Sequence, residues 1–147
     1  MSNILWDMGQ IVRCGAVYRT SRLPEDTPPP VHHNLLITIC DRPGLSQDRL
    51  ARQMCLNKST ITRRLSYLEE NGYVLRTPSE SDKRVLLVTP TEKAYALLPR
   101  IKALTEEWSH TVTEELSEEE LSALQSMLSR LAARARILAE ISGGDEE

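Results

Sequence analysis

The stretch Asn57–Tyr73, NKSTITRRLSYLEENGY, decides how this 147-residue chain is built. Turned at about 100° per residue, it gathers Ile61, Leu65 and Leu68 into one narrow arc and sets Ser59, Arg63, Ser66 and Glu70 opposite. Thr62 falls on one flank, Thr60 and Tyr67 on the other. This is a helix with one buried stripe and an outward face of short hydroxyls and a guanidinium. Asn57 suits its N-cap, and Gly72 stands where a left-handed residue closes a helix. The same short helix holds Lys58, Arg63 and Arg64, although the chain has a formal net charge of −3.

Working outward, LSQDRLARQM predicts a shorter helix capped by Ser46, with Leu50, Ala51 and Met54 inward and the turn QMCLN behind it. Downstream, Val74–Thr77 and Val85–Thr89 are β-rich runs joined by the polar loop SESDKR, which predicts a hairpin. Further upstream, Val31–Cys40 reads as a helix stopped by DRPG. The opening residues Ile4, Met8, Ile11, Gly15 and Tyr18 recur at helical steps until LPEDTPPPV breaks them. Beyond the hairpin, Thr89 as N-cap, Pro90 at N1 and Glu92 at N3 predict a capping box opening a helix to about Thr113. Ser117 and Glu120 repeat the device before a last helix carrying Leu121, Leu124, Leu128, Leu131, Ala135 and Leu138. Two helices, a tight turn and a hairpin make a winged helix-turn-helix. The expected fold is therefore mainly α with a small β-hairpin wing, flanked by long dimerisation helices. Residues 28–90 form the expected DNA-binding domain, 1–27 and 91–142 the helical dimerisation region, and 143–147 a disordered acidic tail.

Charge follows the same division. Residues 1–45 hold four basic and four acidic side chains, 46–84 eight against five, and 85–147 six against twelve. A basic middle on an otherwise acidic body suits a local site for a polyanion. Arginine pairs bidentately with guanine, while serine and threonine accept, donate or touch a thymine methyl. Lys58, at the helix start, is better placed for a phosphate, and Arg64 points to the core margin. In the wing, Asp82 lies two residues from Arg84 and can brace its guanidinium beside Lys83. A braced arginine at a wing tip suits the strong negative potential of a narrow minor groove.

Taken together these residues resemble the MarR-type winged-helix transcription regulators. Ser59-Thr60-Ile61-Thr62-Arg63 is similar to that family's recognition-helix signature, Leu68-Glu69-Glu70-Asn71-Gly72 to its close, and Asp82-Lys83-Arg84 to the wing's Asp-x-Arg. Thr89 with Thr91-Glu92-Lys93 matches a further family motif loosely. The resemblance implies a homodimeric, sequence-specific DNA-binding regulator, usually a repressor, on a pseudo-palindromic double-stranded operator, released by a small-molecule effector or an oxidant. It places Ser59, Thr60, Thr62 and Arg63 in the major groove and Arg84 in the minor groove; Lys58, Tyr67, Asp82 and Lys83 complete the expected DNA-binding set. The chain departs from the pattern at Arg64, usually apolar, at Tyr67, usually basic, at QMCLN, which lacks a glycine, and at Ala94, usually glycine.

Two recognition helices must stand roughly 34 Å apart to read both half-sites. Ile4, Met8 and Ile11 of the first helix, with Leu121, Leu124, Leu128, Leu131 and Leu138 of the last, supply stripes for pairing. For the signal, Cys14 and Tyr18 lie one helical turn apart, an arrangement resembling the family's peroxide sensors. Cys40 and Cys55 read as core fillers, and Trp6, His33 and Trp108 as candidate liners of an effector pocket. The adjacent His32 and His33, with His110, lack metal-ligand spacing, so neither a metal nor a cofactor is expected. No nucleophile–base pair or phosphate-cradling loop appears, so the chain is not expected to be an enzyme. Three sparse cysteines, no apolar run of membrane length and an N-terminus without a basic leader point to a cytoplasmic protein. The alternatives are a winged-helix protein-interaction module, on which Arg63 and Arg84 are merely surface charges, and a regulator centred on Cys14 oxidation.

Overall fold

The computed structural model describes residues 3–143, with side chains to Glu140. Helix α1 (Ile4–Thr20) starts at Asn3, whose side chain accepts from the backbone N–H of Leu5. The prolines that follow have no N–H for a helical ladder. Pro30–His32 therefore makes only one 3-10 turn, and the helix expected over Val31–Cys40 begins two residues later, as α2 (His33–Asp41). The stop at DRPG does more than end it. Gly44, at φ +86°, turns the chain so that its N–H reaches Val88 O at 2.9 Å, and Leu45–Ser46 becomes a short strand, β1. Sequence patterning did not indicate this strand, because two residues carry no period.

Ser46 caps α3 (Gln47–Met54) by accepting from Arg49 N. In the turn that lacks a glycine, Cys55 itself takes the left-handed conformation, φ 52° and ψ 44°. It is exposed there, which corrects its reading as a core filler; Cys40 is buried as expected. Helix α4 (Lys58–Glu70) is capped by Asn57 and closed by Gly72 at φ +78°. Strands β2 (Val74–Pro78) and β3 (Leu86–Pro90) pair antiparallel, with Leu75 opposite Thr89 and Thr77 opposite Leu87. β1 adds to the other edge of β3, giving the order β1-β3-β2.

That pairing overturns one expectation. Thr89 and Pro90 are held in β3 by Leu75 and Val74, so they cannot open a helix. α5 (Glu92–Val112) starts later, and Thr91 does the capping: its hydroxyl accepts from Ala94 N and donates to Gly72 O at 2.6 Å. Pro99 lies inside α5 and offers no N–H to the preceding turn. The second capping box forms as expected. Ser117 Oγ accepts from Glu120 N, and Glu120 Oε2 accepts from Ser117 N, at the head of α6 (Glu118–Gly143). Gly143 thus belongs to a helix, and residues 144–147 of the expected tail lie outside the described residues. Among the described residues no helix is long and apolar enough to cross a membrane.

The chain divides after Trp108 into two compact units. The first contains the core, in which Leu35, Leu36 and Ile39 of α2, Leu50 of α3, Ile61, Leu65 and Leu68 of α4, Val74 and Val88 of the sheet and Ile101 of α5 are almost wholly excluded from water. Each such aliphatic side chain contributes roughly 1.5–3 kcal/mol by burial. Ala94 is fully buried among them, where the family pattern has a glycine. The second unit comprises the end of α5 and α6.

Several contacts tie α1 and the proline segment into the first unit. Gly15 is buried where α1 meets α5, and a Cβ there would stand 2.6 Å from Trp108 Nε1. Further along, His33 is buried with its Nε2 2.8 Å from Pro28 O, and the buried His32 ring stacks on Tyr67 of α4 at 4.4 Å and 9°. Burial pushes both histidines below the usual histidine range, helped for His32 by Arg64 and for His33 by Arg19, although the Pro28 carbonyl opposes it.

We expect Gly15→Ala to cost about 1–3 kcal/mol in urea unfolding, because the ring of Trp108 must shift or α1 must lift away. The histidines predict a pH dependence. Above pH ~6.5 both are neutral in the folded and unfolded chain and cost nothing. As pH falls through that value the unfolded chain takes up protons that the folded chain refuses, so stability declines. Urea midpoints should therefore be lower at pH 5.5 than at pH 7.5 by a margin that shrinks in His33→Gln.

Candidate nucleic-acid interface

The outward face of α4 is built from its N-cap forward. Asn57 Oδ1 accepts from Thr60 N at 2.8 Å and from the Ser59 hydroxyl at 2.9 Å. Ile61, Leu65 and Leu68 take the opposite face into the core, so Lys58, Ser59, Thr62 and Arg63 are left exposed together. Thr60 is half-buried, and its hydroxyl oxygen lies 3.5 Å from Arg63 Nη2. The Thr62 hydroxyl donates to Lys58 O at 2.7 Å and accepts from Gln47 Nε2 at 2.8 Å. A ridge of hydroxyls and cations thus faces solvent, its rotamers fixed by hydrogen bonds.

Two of the departures from the family pattern have a structural reason here. Arg64 turns back to donate from Nη1 to Val31 O at 3.2 Å. Tyr67, assigned to the DNA face from the sequence, is half-buried with its ring against His32. Both side chains fasten α4 to the 3-10 turn behind it.

The wing is fastened to α4 by Arg76. From β2 it donates to Glu69 through its backbone N–H (3.0 Å), Nε (3.1 Å) and Nη2 (2.8 Å), and Nη2 also reaches Ser66 Oγ at 3.2 Å. The guanidinium holds the Glu69 carboxyl below the usual carboxylate range. At the tip, Asp82 braces Arg84 as expected, accepting from its backbone N–H at 3.0 Å, Nε at 3.2 Å and Nη2 at 3.4 Å. The Arg84 side chain is 91% exposed, and Lys83 beside it is exposed too. Hydrogen bonds from Arg84 depress the Asp82 carboxyl in turn, so the brace stays charged near neutrality. The pairings of Gln47 with Thr62 and of Glu69 with Arg76 went unremarked in the sequence. The partners lie 15 and 7 residues apart on different elements, and no spacing rule covers such pairs.

The remaining candidates lie elsewhere. Ile4, Ile11, Leu131 and Leu138 are exposed, with Met8, Leu121, Leu124 and Leu128 half-buried. The expected partnership of Cys14 with Tyr18 does not form. The Tyr18 hydroxyl donates to a Glu107 carboxylate oxygen, its ring packs 5.3 Å from Trp108, and the Arg22 guanidinium lies 3.5 Å from its centroid. Cys14 is exposed. Of the candidate pocket liners, Trp6 is exposed beneath Arg13, while His33 and Trp108 are engaged as described. A cleft of about 270 Å³ lies instead at the proline segment, between Leu23, Pro24, Thr27 and Pro28.

Comparison with known proteins agrees with this geometry. The model of the MarR family matches residues 29–86. A Thauera aromatica protein named for transcriptional regulation of the hcr operon is 31% identical over 123 residues, which is 84% of this chain and 74% of that one. The chain spans 64% and 53% of the length of the first two curated relatives it matches, both HTH-type transcriptional regulators. Among solved structures, the transcriptional regulator SlyA superposes with a TM-score of 0.89 at 25% identity, over 96% of this chain and 99% of that one. A regulator of Listeria monocytogenes crystallised with 26mer DNA superposes at 0.87 and 23% identity, over 100% and 98%.

Proposed function

The chain belongs to the MarR family of transcription regulators, and from that premise we propose that it binds a pseudo-palindromic operator as a homodimer and represses by occupying it. The observation that carries this reading is the pairing of the exposed Ser59–Arg63 ridge with a wing whose Arg84 is aimed by Asp82. A major-groove helix presents its N-terminal half to the bases, and that is where the ridge stands. Arg63 supplies a bidentate donor for guanine, Lys58 a phosphate contact, and Arg84 with Lys83 a minor-groove clamp. That a similarly folded Listeria monocytogenes regulator was crystallised with 26mer DNA supports a DNA-binding role.

The helical region 1–27 and 91–142 is the proposed pairing surface. In a single chain α1 leaves Ile4, Leu5, Trp6 and Ile11 in water, and α6 leaves Met127, Leu131, Ile137 and Leu138. Apolar side chains so arranged along two helices suit burial by a second copy. Release is assigned to a small molecule at the proline-segment cleft. Its wall at Pro28 holds His33, and the adjoining His32 stacks on Tyr67 of α4, giving a short packed route from cleft to recognition helix.

Selection of bound sequences from random duplexes at a stated salt concentration tests the reading directly. It should yield an inverted repeat, whereas enrichment of no sequence would reject it. On the selected operator, Arg63→Ala should lose about 1–3 kcal/mol and relax the preference at one base pair per half-site. Arg84→Ala should weaken binding with less change in preference. In the absence of DNA, sedimentation should report twice the mass of the chain, and a monomer at micromolar concentration would remove the pairing surface from the reading.

A further inference from the structure

We propose that Thr62 recognises a thymine through its methyl group alone, and that Gln47 is the positioning residue that, with Lys58 O, fixes the rotamer presenting that methyl. The inference rests on the DNA-binding role above and specifies the chemistry of one contact within it. A threonine hydroxyl has one hydrogen and two lone pairs. Here the hydrogen is used on Lys58 O at 2.7 Å, and Gln47 Nε2 donates to the oxygen at 2.8 Å. These roles are forced. A carbonyl can only accept, so the hydroxyl must donate to Lys58, and Gln47 must then present its NH₂ rather than its carbonyl to the same oxygen.

No hydrogen is therefore left at Thr62 for guanine N7 or O6, adenine N7 or thymine O4. Ser59 is restricted in the same way, since its hydroxyl donates to Asn57 Oδ1. Of Ser59, Thr62 and Arg63, only Arg63 therefore keeps hydrogens to donate to a base edge. What Thr62 retains is one lone pair, which the thymine edge cannot use because it carries no major-groove donor, and its γ-methyl, which suits the one apolar group on a major-groove edge, the thymine C5 methyl. Gln47 is well placed to impose this. It is the first residue of α3, and a cleft of about 80 Å³ separates it, with Ser46 and Asp48, from Arg84 and Leu86 of the wing. Its Oε1 is buried with no partner among the described residues, so the bond to Thr62 is what holds the amide.

The test uses the full-length protein and its selected operator, titrated at one stated salt concentration beside a scrambled duplex. Equal affinity for the two would overturn the DNA-reading role and this inference with it. Given a preference, each thymine of a half-site is replaced in turn by deoxyuridine, which removes only the C5 methyl. One replacement should weaken wild-type binding about fourfold, the worth of one buried methyl. Thr62→Val should bind within about twofold of wild type and keep that sensitivity. Thr62→Ser should bind about fourfold more weakly and be indifferent to the replacement. Gln47→Ala, at an unchanged unfolding midpoint, should discriminate thymine from uracil less well, because the Thr62 side chain then loses one of the two hydrogen bonds that fix its rotamer and with it the place of its methyl. If no thymine shows a Thr62-dependent effect, or if Thr62→Val loses tenfold while Thr62→Ser keeps full affinity, the hydroxyl is the reader and the proposal fails. Undiminished discrimination in Gln47→Ala would remove Gln47 from it.

Discussion

The exposed ridge of α4 is oriented by three side chains that no partner can touch. Ile61, Leu65 and Leu68 bury one stripe of α4, and together they are worth several kcal/mol relative to exposure. No ridge contact approaches that sum, so the rotation of the helix about its own axis is decided by the core. The hydroxyls and guanidinium on the far side are carried outward as a consequence. A polar substitution within the stripe would alter the presented face as surely as one on the ridge.

Burial sets the rotation of α4 but not the rotamers of its polar side chains. Three hydrogen-bonded brackets do that: Glu69 with Arg76, Asp82 with Arg84, and Thr62 with Gln47. They differ in energy. The Arg76 side chain is 16% exposed, and its network spans α4 and β2, so it serves as a structural tie. The Asp82–Arg84 pair stands in water, where exposed ion pairs add little to stability. Its value is directional, since a guanidinium held by a carboxylate surrenders less freedom when it meets a second anion. The same residue types thus do different work at different depths.

Behind α4 the protein is fastened by aromatic and polar contacts rather than by aliphatic packing. The His32–Tyr67 stack and the bond from Arg64 to Val31 O connect α4 to a proline segment that has no ladder of its own. The two residues that depart from the family pattern on this helix, Arg64 and Tyr67, are the two that make these connections. Their placement explains the departures, and it removes Arg64 from base reading. A helix held from behind by a buried histidine is also sensitive to whatever displaces the segment that carries it.

Much of this was legible in the linear order of residues. Period 3.6 marked α4 and its buried stripe, capping chemistry marked Ser46, Asn57, Gly72 and the Ser117–Glu120 box, and a two-residue spacing marked the Asp82 brace. Such features are local: their partners lie within a few positions, so spacing alone specifies them. Where the reading failed, a distant partner had intervened. Thr89 and Pro90 carry a good helix-opening signal, yet pairing with Leu75 and Val74 drew them into a strand. Leu45 and Ser46 became a strand only because β3 offered a free edge, and Tyr18 gave its hydroxyl to Glu107, 89 residues on, rather than to a neighbouring thiol. The sequence by itself therefore determined the elements and the face each would bury. Only the tertiary structure decided the bonds from Gln47 to Thr62, from Arg64 to Val31 O and from Arg76 to Glu69, because each joins groups that the fold brings within about 3 Å from different elements, and no spacing along the chain reveals that distance.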